Sequence, residues 1–523
     1  MKVTVNRSGI PTVAVFATGT GFHLLLLWLS GRNPWGPHRF TLFDDAMISM
    51  DYARTFARTG ELVWFPGAPR VQGFTNPLWT FAMALLHRVG LEGSAGALAV
   101  SMTGIILLAL TAYLVRHTVL AVVGENGSWA ATSAAGLVFV LYPTTYWTLR
   151  GMEVGLIAFL SLSLLCLVAT DGADTQMRNI LLVVTVCAGI FTRMDFALVG
   201  IGMSAIAWTT DRRTRDRSRM VLLATVGSVL ATFVVQYSYY GHFLPNTYVL
   251  KMSGSSLAIR AARGFVTSAK IVPTILLVVS ALFLTRNSGT GVRRLTMCSG
   301  CSFLLMCGYA VYVGGDAWEN DVASRFHASV LPLALVTVAS AAGSILPARR
   351  TGSTRLWMAF AIAAMAIIPV SLGTTQAVRQ LRSHDILGTR TNLFVTATVL
   401  SLKTVVDPDA TVATVWAGVP AYYGQWQMID LLGKNDEFVA REPRRAPFFP
   451  GHDKWDYEHS VRDLRPDVVF QTFSRDPRED VSAKLRSWGY VRMCTGTGVS
   501  PRAAAWFRKA SENVVWTGLV DCR

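Results

Sequence analysis

The stretch FDDAMISMDYAR, residues 43–54, follows the first long apolar segment, and it decides how the rest of the chain is interpreted. Two adjacent carboxylates, Asp44 and Asp45, stand just past a predicted membrane span at the start of a helical pattern. Asp44, Ile48 and Tyr52 recur at four-residue steps, so they share one face of that helix. Because charge is expensive beside hydrocarbon, a pair of acids at this boundary indicates a functional site.

Helix capping is the alternative explanation for the acidic pair. Asp44 would then be the N-cap, worth about 1 kcal/mol, and Asp45 would complement the helix dipole. Capping explains one aspartate better than it explains two. Arg54 and Arg58 follow on a neighbouring face, so carboxylate, aromatic and guanidinium groups are offered together at a membrane–water boundary.

Composition indicates a polytopic membrane protein rather than a nucleic-acid-binding one. Of the 523 residues, 52% are hydrophobic and only 15% are charged, with a net charge of +16. Three arginine clusters, at residues 211–219, 286–294 and 349–355, each lie between two apolar runs. This is the positive-inside pattern of cytoplasmic loops, so the expected partner is the lipid bilayer and no nucleic-acid partner is expected.

The apolar runs predict a mainly α protein with eleven transmembrane helices. The first run is about long enough to span and lacks a small-x-small cleavage site, so we expect it to be retained. Alternation from a cytoplasmic N-terminus places the arginine clusters inside and the polar motifs outside. The predicted spans are residues 11–30, 96–115, 129–147, 154–169, 180–191, 196–208, 220–240, 271–284, 295–313, 328–346 and 356–372.

Two domains are expected. Residues 1–373 form the membrane module, and residues 31–95 are its first external loop. Within that loop, residues 75–89 are predicted to lie flat at the membrane interface with Trp79 as an anchor. Residues 374–523 suffice for one small extracytoplasmic α/β domain. Its β-rich runs are residues 411–416, 468–470 and 514–519.

The cysteines divide between apolar runs and the C-terminal region. Cys494 and Cys522 lie in that hydrophilic region and could form a disulfide if it is extracytoplasmic. Cys298 and Cys301 form a CxxC pattern inside an apolar run. Without a second pair or nearby histidines this pattern indicates core packing rather than a metal site.

The segment LPNTYVLK, residues 244–251, follows the seventh predicted span on the external side. Asn246 and Tyr248 can donate hydrogen bonds and Lys251 supplies a point charge, a combination that could hold a lipid phosphate. Lys251 could equally extend along the membrane surface to reach water without binding a ligand.

Charged pairs flank two further predicted spans. Glu153 follows Arg150-Gly151, and Asp195 follows Arg193 at the start of another span. Local ion pairing or capping explains both acids as well as a substrate role does.

A third polar segment joins the ninth and tenth predicted spans. Gly314-Gly315-Asp316 ends one span, and Arg325 and His327 precede the next. The two glycines would let backbone N–H groups approach a ligand closely. Asp316 and Arg325 could pair with each other, or Arg325 could join Lys251 in neutralising a phosphodiester.

Six short motifs are ordered along nearly the whole chain. They are Asp44-Asp45, Phe65-Pro66-Gly67, GFTNPLW at residues 73–79, LPNT at residues 244–247, Gly314-Gly315-Asp316 with Arg325, and DLLGK at residues 430–434 with PGHDKW at residues 450–455. Together these motifs resemble the GT-C superfamily of membrane glycosyltransferases. Within that superfamily the chain is similar to actinobacterial enzymes of the arabinofuranosyltransferase B type.

The resemblance implies a multi-pass plasma-membrane enzyme that acts on its extracytoplasmic side. Such an enzyme takes a sugar, here arabinofuranose, from a polyprenyl-phosphate donor and places it on a cell-wall or surface glycan. It also implies a catalytic aspartate in the first external loop, which here is Asp44 or Asp45. The metal dependence stays open, with a divalent cation as one alternative.

Inverting transfer assigns roles to the candidate residues. Asp44 would accept the acceptor proton, and Asp45 would orient it or hold a cation. The leaving phosphate needs cations rather than an acid, which Lys251 and Arg325 would supply, with Arg54, Arg58 and Arg193 in reserve. Asn246 and Tyr248 would join these cations in binding the donor. Residues that would bind or support the substrate are Tyr52, Asn76, Trp79, Glu153, Asp195, Asp316 and His327.

Two other functional classes remain open from the sequence. A transporter or flippase of lipid-linked sugars would show inverted repeats and broken helices, and neither is clear here. A glycan-binding membrane protein would use residues 374–523 as its receptor domain.

Overall fold

The computed structural model describes residues 10–170, 175–210, 214–318, 325–346, 352–496 and 501–522. Parts of two predicted arginine clusters, residues 211–213 and 349–351, lie outside these ranges. The chain forms two compact units. The first unit contains Met1–Trp28, Ser101–Thr232 and Arg260–Leu387, and the second contains Leu29–Val100, Phe233–Ile259 and Gly388–Arg523.

Helices account for most of the described chain. Helices α1 to α9 are Ile10–Ser30, Asp44–Thr59, Pro77–Arg88, Gly93–Val123, Ser128–Val138, Tyr142–Leu149, Val154–Ala169, Gln176–Thr192 and Phe196–Thr210. Helices α10 to α17 are Arg215–Tyr240, Asn246–Met252, Leu257–Thr267, Val272–Thr285, Thr290–Val313, Arg325–Ala328, Leu331–Ile345 and Gly352–Arg382. Helices α18 to α21 are Arg390–Leu402, Val419–Gly424, Glu437–Arg441 and Val481–Ser487.

Long apolar helices identify a membrane protein. Among the described residues, five helical segments are long and apolar enough to cross a bilayer. Five shorter apolar helices lie at other predicted spans, so the predicted helical regions are confirmed while the count of eleven crossings stays a prediction. The five long segments are Thr12–Ser30, Gly93–Val123, Arg215–Tyr240, Leu257–Thr285 and Thr290–Val313.

Two predicted spans are divided in the structure. Residues 129–147 form α5 and α6, and residues 328–346 cover the end of α15 and the whole of α16. In each case the second helix carries a proline in its first turn, Pro143 in α6 and Pro332 in α16. Proline has no N–H to donate and favours a helix start, so it divides an otherwise continuous apolar run.

The first unit is a helical bundle with an apolar core. Helix α14 packs against α9 and α16, and α7 packs against α8. Buried side chains such as Leu164, Phe196 and Phe303 belong to one continuous apolar cluster. Within a bilayer, close van der Waals packing between such helices stabilises the bundle.

The second unit contains a six-stranded mixed sheet in the order β2-β1-β3-β5-β4-β6. Strand β1 pairs in parallel with β2 and β3, whereas β3 with β5, β5 with β4 and β4 with β6 are antiparallel. The predicted strand at residues 514–519 is wrong for most of its length, because a 3₁₀ turn occupies Trp516–Gly518. Strands β1 to β6 are Thr411–Thr414, Gln427–Asp430, Val468–Val469, Tyr490–Thr495, Ala504–Arg508 and Leu519–Val520.

Helix α2 packs against α3 and α19 in the second unit. Trp79 of α3 is only 4% exposed, so the interface anchor predicted for it is wrong. The exposed apolar side chains of α3 are Phe81 and Leu85, at 43% and 66%. The amphipathic pattern placed the helix correctly but did not show which aromatic residue faces the protein.

Candidate active site

Helix α2 presents the two acids at its first turn. Phe43 is the N-cap, and its side chain makes no capping hydrogen bond, so Asp44 is the first helical residue. The Asp44 Oδ1 atom accepts hydrogen bonds from the backbone N–H groups of Gly418 and Val419, at 3.2 and 2.7 Å. The carboxylate therefore binds a distant loop instead of capping its own helix.

Gly418 makes this approach possible because it has no side chain. A Cβ atom at Gly418 would lie 1.9 Å from the carbonyl oxygen of Asp44. Any larger residue would force the loop away from α2 and break the two hydrogen bonds to the carboxylate. Sequence analysis missed this role, and the only signal was the loop sequence WAGVP at residues 416–420.

The second oxygen of Asp44, Oδ2, makes no hydrogen bond within the described ranges of the chain. Burial raises the pKa of Asp44 to about 6, although the Lys434 ammonium and the two amides act in the opposite direction. A carboxylate with one oxygen fixed, the other unbonded and a pKa near neutrality has the properties of a general base.

Asp45 forms an ion pair with Lys434, whose Nζ lies 2.8 Å from Asp45 Oδ1. Both side chains are largely buried, at 16% and 9% exposed. Burial alone would lower the pKa of Lys434, but the charges of Asp45 and Asp44 outweigh it and raise that pKa. Lys434 therefore carries a permanent positive charge beside both acids.

Asn246 holds the loop that carries Lys434. Its side-chain Nδ2 donates to the carbonyl oxygens of Gly433 and Lys434, at 2.9 and 3.0 Å. Asn246 is the first residue of α11, and the same helix carries Lys251. The structure thus gives Asn246 a positioning contact, where the sequence predicted a contact with the donor.

His452 lies among these charges and was missed as a site residue. Its side chain is half-buried, and its Nδ1 lies 3.0 Å from the carbonyl oxygen of Pro450. Burial, together with the charges of Lys434 and Lys251, lowers its pKa to about 4, while the Pro450 hydrogen bond and Asp45 act in the opposite direction. His452 is therefore neutral at pH 7 and lies within electrostatic range of Lys251, Lys434 and Asp45.

Tyr52 lies two turns after Asp44 and is buried. Its hydroxyl lies 2.6 Å from the carbonyl oxygen of Val71 and 2.9 Å from Oδ1 of Asn435, and it accepts from the Gly73 N–H at 3.1 Å. Tyr52 is therefore a link between α2 and the residue that follows Lys434.

Arg54 and Arg58 each form an ion pair with a carboxylate of the same unit. Arg54 forms a buried ion pair with Asp51, donates to the carbonyl oxygen of Tyr422 and lies over that ring. Arg58 is exposed and pairs with Glu92 at 2.9 Å. Both contacts favour a structural role over the reserve role in donor binding predicted for these arginines.

The remaining candidates of the second unit have ordinary structural surroundings. Asn76 accepts hydrogen bonds from Ser49 and Thr80, at 2.8 and 3.1 Å, between α2 and the start of α3. Tyr248 is 37% exposed on α11. Cys494 and Cys522 are joined by a disulfide with their Cα atoms 5.0 Å apart.

The first unit gathers a separate group of predicted residues. Arg193 pairs with Glu153 at 2.8 Å and with Asp195 at 2.7 Å. Arg325 pairs with Asp316 at 2.5 Å and lies 5.4 Å from the centre of the Trp147 ring.

His327 follows Arg325 by two residues and is buried, with its Nε2 atom 3.5 Å from the Ser268 hydroxyl. The pairing of Asp316 with Arg325 is the structural alternative that the sequence left open. Among the described residues, no group of three His, Cys, Asp or Glu side chains could hold a metal ion.

Solved structures of an archaeal oligosaccharyltransferase are similar in fold. The Archaeoglobus fulgidus enzyme in complex with Zn and sulfate gives a TM-score of 0.52 at 10% identity, covering 94% of this chain and 73% of that one. The oligosaccharyltransferase AglB from the same organism, in complex with an inhibitory peptide and a dolichol-phosphate, gives a TM-score of 0.50 at 12% identity. That similarity covers 80% of this chain and 64% of AglB. The chain therefore shares the fold of this archaeal oligosaccharyltransferase.

Other comparisons add little to this similarity of fold. ArnT from Cupriavidus metallidurans in the apo state gives a TM-score of 0.48 at 12% identity, covering 79% of this chain and 85% of that one. A family described as a domain of unknown function (DUF8728) matches residues 380–513. No curated protein matches the sequence. At these identities the similarity is one of fold, and the superfamily implied by the sequence resemblance stays a proposal.

Proposed function

We propose that this chain is a membrane glycosyltransferase that moves a sugar from a polyprenyl-phosphate donor to a glycan acceptor on the extracytoplasmic side. The shared fold and the dolichol-phosphate bound to AglB support the lipid-linked donor. The observation that carries the proposal is Asp44, whose Oδ1 is held by two backbone amides, whose Oδ2 accepts no hydrogen bond from the described residues, and whose pKa is about 6.

Asp44 is the general base in this proposal. Its Oδ2 accepts the proton of an acceptor hydroxyl as the hydroxyl oxygen forms a bond to the anomeric carbon of the donor. The bond from that carbon to the phosphate oxygen breaks, and its electron pair leaves with the polyprenyl phosphate. The configuration at the anomeric carbon is therefore inverted.

Lys251 is the proposed cation for the leaving phosphate. It is half-buried on α11, beside Gly451 and within the electrostatic range of His452. A fixed positive charge stabilises the leaving phosphate in the transition state. Asp45 and Lys434 neutralise each other at 2.8 Å and thereby hold the charge around Asp44 constant.

Arg193 and Arg325 remain proposed donor-binding residues in the first unit. Each already holds a carboxylate, so a phosphate would have to compete with Glu153, Asp195 or Asp316. Arg325→Lys keeps the charge but loses the two-nitrogen contact with Asp316, so a raised donor KM in that variant would support the assignment.

Arabinofuranose is the sugar we propose, on the strength of the sequence resemblance alone. The full-length protein in detergent is incubated with synthetic polyprenyl-phospho-arabinofuranose, competing sugar lipids and a glycan acceptor, and the products are weighed by mass spectrometry. An acceptor that gains one pentose is the expected product. Movement of intact donor across vesicles without cleavage would favour the transporter alternative.

The Asp44→Asn variant tests the base. Asparagine keeps Oδ1 as an acceptor for the two amides but cannot take a proton, so we expect transfer to fall by about 10²–10⁴-fold. Asp409→Asn is the control, because Asp409 is an exposed aspartate in a turn of the same unit. Full activity of Asp44→Asn would refute the proposed mechanism.

A further inference from the structure

The second unit contains a cavity of about 560 Å³ that none of the roles above uses. Its volume lies in the range of small-molecule sites, about 300–1,000 Å³. Its lining residues come from α2 and the loop after it, the end of α10, the segment from β2 to α20, and the segment that contains His459 and Leu464. The α10 contribution includes Tyr240, the last residue of a candidate membrane helix, so the cavity lies beyond the end of that span.

Aromatic side chains form much of the cavity wall. Trp64, Phe65, Tyr240 and Phe438 all line it. Phe438 stacks on His459 with ring centres 4.1 Å apart and planes at 23°, yet it remains 49% exposed. An exposed ring fixed by stacking offers a flat apolar face to a ligand at little conformational cost.

Polar groups beside this face are also held in place. Asp436 accepts from the Val439 N–H at 3.1 Å and lies 3.2 Å from Nε2 of His459. Glu437 lies 3.3 Å from His242 and pairs with Arg441 at 3.0 Å. Fixed carboxylate and imidazole groups next to an aromatic face suit the hydroxyl groups of a saccharide.

The charge of the cavity disfavours a phosphate. Its only described arginine or lysine is Arg70, whereas Asp430, Asp436 and Glu437 contribute three carboxyl groups. Like charges would repel the donor phosphate from this wall. A neutral polyhydroxylated ligand meets no such penalty.

The cavity is connected to the proposed base through α2. Tyr52 lines the cavity, and Asp44 lies eight residues earlier on the same helix, about 12 Å along its axis. Asn435, another lining residue, lies near the Tyr52 hydroxyl and follows Lys434 in sequence. A ligand in the cavity must therefore be longer than one sugar to reach Asp44.

We propose that this cavity binds the acceptor as a neutral oligosaccharide, with a sugar on the Phe438–His459 face and the reacting hydroxyl directed toward Asp44. This inference rests on the proposed function, whose acceptor it places. The acceptor is then recognised several sugars away from the reaction, and the donor binds elsewhere.

Direct binding without donor tests the cavity independently of transfer. An α-1,5-linked triarabinofuranoside and maltotriose are titrated into the full-length protein in detergent. Whichever trisaccharide binds the wild-type protein, Phe438→Ala should raise its Kd by about three- to tenfold, as expected for the loss of one stacked ring. Phe394→Ala is the matched control, because Phe394 is 40% exposed in the same unit and does not line the cavity.

Kinetics provide the second readout. Phe438→Ala and Glu437→Gln should raise the acceptor KM while kcat and the donor KM stay unchanged, the pattern for lost binding in ground and transition states alike. The inference is overturned if neither trisaccharide binds, if inorganic phosphate displaces the bound one, or if Phe438→Ala and Phe394→Ala behave alike. Binding without any transfer would refute the transferase and leave the cavity assignment standing.

Discussion

Asp44 carries a cost in stability that its proposed function explains. Burial raises its pKa to about 6 from an ordinary value near 3.8, so the folded protein holds the Asp44 proton more tightly than the unfolded chain. The contribution of Asp44 to the free energy of unfolding is then most favourable below pH 4, falls as the pH rises from 4 to 6, and stays level above that.

Asp44→Asn should therefore stabilise the protein above pH 6, by on the order of 2–3 kcal/mol. Asparagine keeps the Oδ1 acceptor and removes the buried charge. The apparent melting temperature in detergent, measured between pH 4 and 8, should fall less steeply than in the wild type. Asp51, whose pKa burial also raises to about 6, keeps part of the pH dependence. A lower melting temperature for Asp44→Asn at pH 8 would contradict this account.

The pH dependence of transfer should report the same group. A base must be deprotonated, so the rate should increase with pH up to about 6 and then level off. Lys434→Gln removes a charge that lowers the pKa of Asp44, so the midpoint should move to higher pH. Lys434→Arg keeps the charge and serves as the control. An unmoved midpoint in Lys434→Gln would mean that another group is the base.

At the residue scale the sequence identified the acids but not what holds them. The position of Asp44 and Asp45 beside a predicted span marked them as candidate site residues, and helix α2 begins at Asp44, where the helical pattern predicted its start. Val419 and Lys434 lie 375 and 389 residues after the acids that they contact, His452 lies still further along the chain, and no local periodicity brings such segments together. Only the DLLGK and PGHDKW motifs marked their neighbourhoods.

At the scale of elements, close contact between segments depends on two glycines. A Cβ atom at Gly73 would lie 1.7 Å from Oδ1 of Asn435, and one at Gly418 would lie 1.9 Å from the carbonyl oxygen of Asp44. Gly73→Ala and Gly418→Ala should each cost about 1–3 kcal/mol, because neighbouring backbone or fixed side chains must move. Melting in detergent measures the loss.

Gly308→Ala is the control for both variants. Gly308 lies inside α14 with no atom within 4 Å of an added Cβ. Alanine favours a helix over glycine by about 1 kcal/mol, so this variant should melt at the same or a higher temperature. Equal destabilisation of all three variants would show that the close contacts do not matter.

Helix boundaries were predictable where a continuous apolar run is bounded by polar residues. The span at residues 154–169 coincides with α7, because a continuous apolar run ends at polar residues on both sides. The divided spans at α5–α6 and α15–α16 could not be read from hydropathy alone. There the proline in the first turn of the second helix was the available signal.

At the scale of the whole molecule, the sidedness of the C-terminal region remains a prediction. Cys494 and Cys522 form a disulfide, while the five other cysteines are free and lie in helices. If the region is extracytoplasmic, a membrane-impermeant maleimide added to intact cells should label Cys494 and Cys522 only after an impermeant reductant has opened their disulfide. The Cys494→Ser/Cys522→Ser double variant is the control and should remain unlabelled.

Labelling only after permeabilisation would place the region in the cytoplasm. Loss of the disulfide should also cost about 3–4 kcal/mol, given the 28-residue separation of the two cysteines. Melting of the double variant measures that cost separately from topology.

The fold shared with the archaeal oligosaccharyltransferase was predictable because the quoted motifs keep their order along the chain, even though each motif is weak. The composition of the two compact units was harder to foresee. The second unit combines residues 29–100 and 233–259 with the C-terminal segment, and only long-range contacts such as Asn246 with Gly433 reveal this.

The hydrogen bonds from Gly418 and Val419 to Asp44 have a consequence for biosynthesis. The amides that orient this carboxylate are 374 and 375 residues further along the chain. A ribosome therefore synthesises helix α2 long before it makes the loop that orients the proposed base. On the proposed function, a nascent or prematurely terminated chain shorter than that lacks an oriented Asp44 and should not consume lipid-linked sugar.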